Sequence, residues 1–259
     1  MGDRGKRAPL RLFALEDFPL VQPGDDLVAL IAAALERQGD TLEARDVIVV
    51  AQKIVSKSEG RAVRLADVVP GERARELAAA TGKDPRIVEL VLRESTDIIR
   101  QRKNVLIARH RNGYVYANAG IDQSNVGPDG QAWALLLPED SDASAARLRA
   151  GLAARYGVEL AVIVNDSAGR PWRLGVTGIA LGTAGMLALQ SRIGDPDLFG
   201  RPLEITEIAV ADELAAAASH LMGQADEATP VVVIRGARYR ASESDSRALI
   251  RPIEQDLFR

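Results

Sequence analysis

The stretch Leu160-Ala-Val-Ile-Val-Asn-Asp-Ser-Ala-Gly-Arg170, followed by Gly175-Val-Thr-Gly-Ile-Ala-Leu-Gly-Thr-Ala-Gly185, decides how the rest of the chain is read. Leu160 to Val164 is a continuous apolar run of the length of a buried strand. Its polar end delivers the Asp166 carboxylate beside the Ser167 hydroxyl into a loop, and strand ends are where ligands are usually met. The glycines at 175, 178, 182 and 185 recur at steps of three and four. Such spacing serves close approach of backbone to a ligand or, the preferred reading, tight packing of strands and helices.

A second segment repeats this order: Tyr114-Val-Tyr-Ala-Asn118, then Ala-Gly-Ile, then Asp122-Gln-Ser-Asn125. Two strand-end aspartates, Asp122 and Asp166, could therefore share one cation. Hard oxygen ligands of this kind suit magnesium or manganese, which bridge carboxylates to nucleotide phosphates. The competing reading makes both of them loop caps, satisfied by nearby backbone N–H groups. A third segment, Val49 to Arg61, runs from a buried strand into a polar turn holding Lys53, Lys57 and Arg61. Those charges could cradle a polyphosphate or could be ordinary surface residues. There is no Walker motif and no GxGxxG fingerprint. His110 and His220 lack any partner pattern for a triad or a zinc helix, and neither is given a catalytic role. Trp133 and Trp172 read as core or lobe-interface residues, although Trp172 beside Arg173 could wall an aromatic pocket.

Working outward, Arg11 to Leu15 predicts a strand, and Asp25-Asp26 caps a helix running to about Arg37. Val47 to Val50 predicts a buried strand. Two helices fall between Gly71 and Glu94, the second opened by Asp84 with Pro85 at its first position. Asn104 to His110 and Tyr114 to Asn118 flank Asn112-Gly113 as a hairpin. Ser141 to Tyr156 and Val210 to Met222 predict helices, with Arg147, Arg149 and Arg155 on a solvated face, and Val231 to Ile234 a final strand. Strands and helices alternate irregularly, which gives an α+β (mixed α/β) fold rather than a regular eight-fold barrel. Residues 1–259 read as one domain, two lobes being allowed by a weak boundary near 127–130.

Composition excludes several classes. The 259 residues are 47% hydrophobic but only 4% aromatic, so the core must be aliphatic. A net charge of −3 offers no general attraction to nucleic acid or to membranes. With no cysteine, disulfides, thiolate nucleophiles and cysteine-ligated zinc are excluded. No apolar run reaches bilayer length, and the opening residues lack the apolar region of a signal peptide, so a cytoplasmic location is expected.

Five ordered blocks resemble the coenzyme F420-0 gamma-glutamyl ligase family: Phe18 to Leu27, Val55 to Arg61, Ala119 to Val126, Asp166 to Arg170 and Val210 to Leu214. The resemblance covers nearly the whole chain and implies a two-lobed fold assembled as an intertwined homodimer. It implies a GTP-dependent ligase that adds L-glutamate to F420-0, and then γ-linked glutamate to the product, through an acyl phosphate. Asp122 and Asp166 would hold a first divalent metal, magnesium or manganese, and Ser167 and Gln224 would contribute to a second. A monovalent cation, potassium, would accompany them. Phe18, Pro19, Leu20, Val21, Gln52, Lys57, Asn125 and Gly223 would line the GTP site, with Asp122, Asp166 and Lys57 carrying the catalysis. Gln52 stands where the family often has Ser or Thr. The nitroreductase-like domain that follows the ligase in actinobacterial members lies outside these residues, and none of its activity is expected. The alternatives are a ligase of the same fold with another carboxylate acceptor, a non-catalytic GTP-binding module, and a metal-dependent phosphohydrolase.

Overall fold

The computed structural model describes residues 9–124, 126–127 and 132–256. In chain order the regular elements are β1 (Arg11–Ala14), α1 (Leu27–Gln38), β2 (Val47–Ala51), α2 (Gln52–Ser58), β3 (Ala62–Arg64), α3 (Glu72–Thr81), α4 (Pro85–Glu94), β4 (Ser95–Arg102), β5 (Val105–His110) and β6 (Val115–Ala117). They continue with β7 (Trp133–Leu135), α5 (Ser141–Tyr156), β8 (Ala161–Arg170), β9 (Arg173–Ala184), β10 (Gln190–Ser191), β11 (Glu207–Ile208), α6 (Val210–Met222) and β12 (Val231–Arg235).

The helix boundaries follow from local chemistry. The Asp26 carboxylate accepts from the Val28 and Ala29 N–H groups at 2.9 and 3.2 Å, and α1 closes at Gly39 in the left-handed region. Asp84 caps α4 in the same way, with Pro85 at the first position, where no N–H is needed. Asp140 caps α5, its carboxylate accepting from the Ala143 N–H at 2.9 Å.

The central sheet has the order β1-β12-β2-β8-β9, with β2 and β8 parallel and the other neighbours antiparallel. Its period of two separates two cores. Ile48, Val50, Val162, Val164, Val231 and Val233 pack with Leu27, Ile31 and Leu35 of α1 and with Leu148 and Leu152 of α5. Their neighbours Val47, Val49, Ala161, Ile163, Val232 and Ile234 pack with Val210, Ala215 and Ala218 of α6 on the opposite face. Both faces are covered, which is why these strands read as uninterrupted apolar runs. A third core joins α3, α4 and β5 through Leu77, Val88, Val91, Leu106 and Ala108, all from the chain between α2 and α5. The class is α+β, as the irregular alternation predicts.

The structure corrects several details. Lys53 and Lys57 stand on a helix, not in a turn. Ala51 ends β2, and Gln52, Ile54, Val55 and Ser56 are buried against the molecule while the Ser56 hydroxyl donates to Gln52 Oε1 at 2.9 Å. Asp166 and Ser167 lie inside β8, which runs on to Arg170 as one arm of a long hairpin, with Ser167 opposite Gly178. The polar residues read as a loop because a hairpin arm with one open face needs no apolar side chains there. Trp172 is 87% exposed at the hairpin tip with φ +65°, so it is neither core nor a buried interface within this chain. Of the three arginines on α5, Arg147 and Arg155 are exposed as predicted, Arg147 pairing with Glu59 at 2.6 Å, whereas Arg149 is clamped by Glu159 at 2.7 Å and by the Leu160 carbonyl at 3.1 Å. The 127–130 boundary falls largely outside the described residues.

Two of the glycines of β9, Gly178 and Gly182, serve packing. A Cβ on Gly178 would stand 2.5 Å from the Ala215 carbonyl and 2.6 Å from Ser219 Cβ, and one on Gly182 would overlap the Ser141 carbonyl of the α5 N-terminus. Backbone cannot yield as a flexible side chain can. Gly182→Ala is therefore expected to cost about 3 kcal/mol, the upper end of ordinary overpacking, as a lower urea midpoint at unchanged slope. Gly175→Ala, where nothing lies within 4 Å but φ is +84°, is expected to cost about 1 kcal/mol from backbone strain alone.

Candidate functional site

One end of the sheet gathers the chemistry. Parallel pairing sets Ala51 of β2 beside Asn165 of β8, so α2 springs from β2 next to Asp166. At the same end β12 begins, with the Pro230 carbonyl accepting from Ala51 N–H, and β1 ends, with Leu15 N–H donating to the Val231 carbonyl. The loops after β1 and before β12 thus converge on the residues that follow β2. Between them opens a cleft of about 780 Å³. Phe18, Pro19, Leu20, Val21, Gln52, Lys53, Lys57, Asp122, Ser124, Asp166, Ser167, Gly223 and Gln224 line it, along with the chain from Ala225 to Pro230.

Every predicted site residue within the described chain therefore meets in one place; Asn125 lies outside the described residues. Phe18 and Val21 are buried, anchoring a strap whose Leu20 is left 81% exposed. Gln52 is buried and already accepts from Ser56, which ties its amide oxygen to its own helix. Gly223 ends α6 with φ +71°, and a side chain there would collide with Glu227. The Gln224 amide nitrogen donates to Ser219 Oγ at 3.0 Å.

Asp122 reaches the cleft through an antiparallel bridge to Leu135, with bonds of 2.8 and 3.1 Å. Its carboxylate accepts from the Ser124 N–H at 2.8 Å and from the Ser124 hydroxyl at 2.9 Å, and lies 2.6 Å from Lys53 Nζ. The loop-cap reading is thus correct for one oxygen and incomplete for the other. Burial raises its pKa, but the bonds from Lys53 and Ser124 outweigh that and hold the carboxyl below its ordinary range. Asp166 behaves oppositely: burial first, and then the like charge of Asp122, push it up to about 7 against the pull of its bond from Ser167 N–H. Lys57, half-buried on the next turn of α2, has its pKa lowered by burial and by Lys53.

Among the described residues no group of three or more His, Cys, Asp or Glu forms a protein-only metal cage. The donors present are two carboxylates, the Ser167 hydroxyl and the Gln224 carbonyl, all hard oxygens. A carboxyl whose pKa is raised by burial and then by a second carboxylate is a site short of positive charge, and such donors fit a divalent ion that completes its shell with phosphate oxygens. The contact between Lys53 and Asp122 is the feature the sequence did not disclose, since nothing in it states that β3, which follows α2, pairs with β7, whose Leu135 bridges Asp122.

Two carboxylates and two lysines in one open cleft of an α+β protein are groups of the kinds that bind metal ions and phosphates. The comparisons narrow this reading. The F420-0:Gamma-glutamyl ligase family matches residues 17–236. The coenzyme F420:L-glutamate ligase of Methanothermobacter thermautotrophicus is 48% identical over 252 residues, 96% of this chain and 99% of that protein. Its namesake from Methanopyrus kandleri is 45% identical, covering 95% and 97%, and that of Methanosarcina barkeri 42% identical, covering 95% and 93%. The chain belongs to the F420-0:gamma-glutamyl ligase family. Among the described residues no helix is long and apolar enough to cross a membrane.

Proposed function

We propose that the protein joins L-glutamate to coenzyme F420-0 in a GTP-dependent reaction, with the cleft at the sheet end as its active site. The observation that carries this reading is the convergence of Asp122, Asp166, Ser167, Lys57, Gly223 and Gln224 on one cleft in a chain that matches ligases of that name over nearly its full length. A carboxylate does not condense with an amine in water. Its oxygen must first take the γ-phosphoryl group of GTP, releasing GDP and leaving an acyl phosphate. The glutamate amine then attacks the acyl carbon, an amide forms, phosphate departs with the bonding pair, and the nitrogen loses a proton.

In this reading Asp122 and Asp166 hold one divalent cation, and Ser167 and Gln224 contribute to another. Such ions would supply neutralisation of the charge that builds on the β,γ-bridging oxygen as the phosphoryl group passes to the acyl oxygen. Lys57 is set to hold phosphate oxygens, its half-burial strengthening that attraction. The strap Phe18 to Val21 gives an apolar wall for a planar base. No protein nucleophile is needed, in keeping with a chain that has no cysteine. A homodimer is part of the reading, supported by the exposed Trp172 and Leu174 on the hairpin and Leu198, Phe199 and Ile205 on the loop between β10 and β11.

The test is mass spectrometry of F420-0 incubated with the purified protein, L-glutamate, manganese and GTP, with an ATP control. Masses rising in glutamyl steps with GDP released, and silence after chelation, are expected. Unaltered F420-0 alongside tight GTP binding would replace this acceptor with another carboxylate or leave a binding module.

A further inference from the structure

The cleft carries a positive charge of its own against the carboxylate pair. Lys53 Nζ sits 2.6 Å from Asp122 Oδ2 and donates to Ser124 Oγ at 3.0 Å, while Ser124 in turn satisfies Asp122 Oδ1. A cation arriving at Asp122 therefore finds one oxygen taken by an ammonium and the other by a hydroxyl and an amide. Two cations against one carboxylate oxygen repel each other strongly at such distances, so the ammonium must leave as the metal arrives.

It has somewhere to go. Lys53 is the second residue of α2, about a third exposed at the side chain, on a flexible four-carbon stem with three donors. Lys57 stands one turn further along the same helix face and lines the same cleft, so the two ammonium groups already flank one space. Asp122, Asp166, Asp226 and Glu227 line the cleft against Lys53 and Lys57, so the metal-free cleft carries an excess of acidic groups. A nucleotide polyphosphate offers Lys53 a new anion just when a divalent ion takes over its old one.

We propose that Lys53 is an exchange residue: its ammonium holds Asp122 in the metal-free protein and passes to the phosphate oxygens of the nucleotide when a divalent cation takes the carboxylate. The proposal rests on the metal and phosphate reading of the cleft above. Its consequence is coupling between the two ligands. Metal alone must displace an ion pair, whereas metal with nucleotide exchanges one ion pair for another, so each ligand tightens the other.

The experiment titrates manganese alone into the full metal-free chain and reads free Mn2+ by electron paramagnetic resonance, with no nucleotide present. Lys53→Gln is expected to bind Mn2+ about tenfold more tightly than the unaltered protein. Lys53→Arg, which keeps the charge and the pairing, is expected to bind no more tightly than the unaltered protein. Lys57→Gln removes a charge from the same helix but not the ion pair to Asp122, and is expected to change the affinity much less. Unaltered or weaker Mn2+ binding by Lys53→Gln overturns the exchange and leaves the metal site standing, as does equal tightening in Lys57→Gln. Mn2+ that fails to bind even in Lys53→Gln overturns the metal reading and the exchange together.

Discussion

Asp166→Ala is expected to lower glutamyl transfer by at least about 100-fold while the protein stays folded. The side chain projects from the middle of β8, whose ladder to β9 depends on backbone groups alone, with Asp166 paired to Ile179. Removing the carboxylate takes away one of the two aspartates assigned to the metal and also relieves the repulsion between Asp166 and Asp122, so the fold has no cause to weaken. A single electrostatic contact that acts on a developing charge is worth about 100- to 1000-fold in turnover, roughly 3 to 4 kcal/mol. The same number of kcal/mol lost from stability would show as a much lower melting temperature, which separates the two effects. GDP release and glutamylated product measured beside a thermal melt decide the matter. Ligation within a few-fold of the unaltered rate would remove Asp166 from the metal.

The parts of this arrangement that the sequence discloses are those fixed by short-range rules. Asp26 and Asp84 before apolar-periodic runs mark the starts of α1 and α4, and the apolar runs at Val47 and Val231 mark central strands, because caps and burial act within a few residues. Asp122 and Asp166 are recognisable as candidates because both sit at the polar ends of such runs. What is not legible is register and partnership. Nothing local says that Ala62 of β3 pairs with Leu135 of β7, and it is that pairing, with the bridge from Leu135 to Asp122, which brings Asp122 to the helix that carries Lys53. The segment around Lys53 reads as a turn because its charges and serines mask a seven-residue helix, whose buried face is only Gln52, Ile54, Val55 and Ser56. The β9 glycines conceal their purpose for the same reason: the atoms that forbid a side chain at Gly178 belong to α6, far along the chain.

Metal affinity is expected to rise about 100-fold between pH 5 and pH 7 and then to level off. The Asp166 carboxyl ionises near 3.8 in an unfolded chain and at about 7 in the folded cleft, because burial and the charge of Asp122 oppose ionisation. A divalent ion binds only the carboxylate, so below about pH 7 each ion must expel a proton, and affinity falls about tenfold per unit. The metal-free fold responds in the opposite sense. Below about pH 4 both states keep the proton; from there to about pH 7 only the folded state holds it, so stability declines as pH rises through that window and is flat above it. Asp142 and Asp212 are also raised by burial and add slope of the same sign, so the contribution of Asp166 is read as the difference from Asp166→Asn. That variant should be more stable than the unaltered protein at pH 8 in chelator and equally stable at pH 4. Urea midpoints across the range, with Mn2+ titrations at pH 5, 6, 7 and 8, test both halves together. A flat affinity profile with a stability slope that survives Asp166→Asn would mean that the proton displaced by the metal sits on another group. Opposite slopes that vanish together in the variant would show that one carboxyl makes the empty cleft strained and the filled one tight.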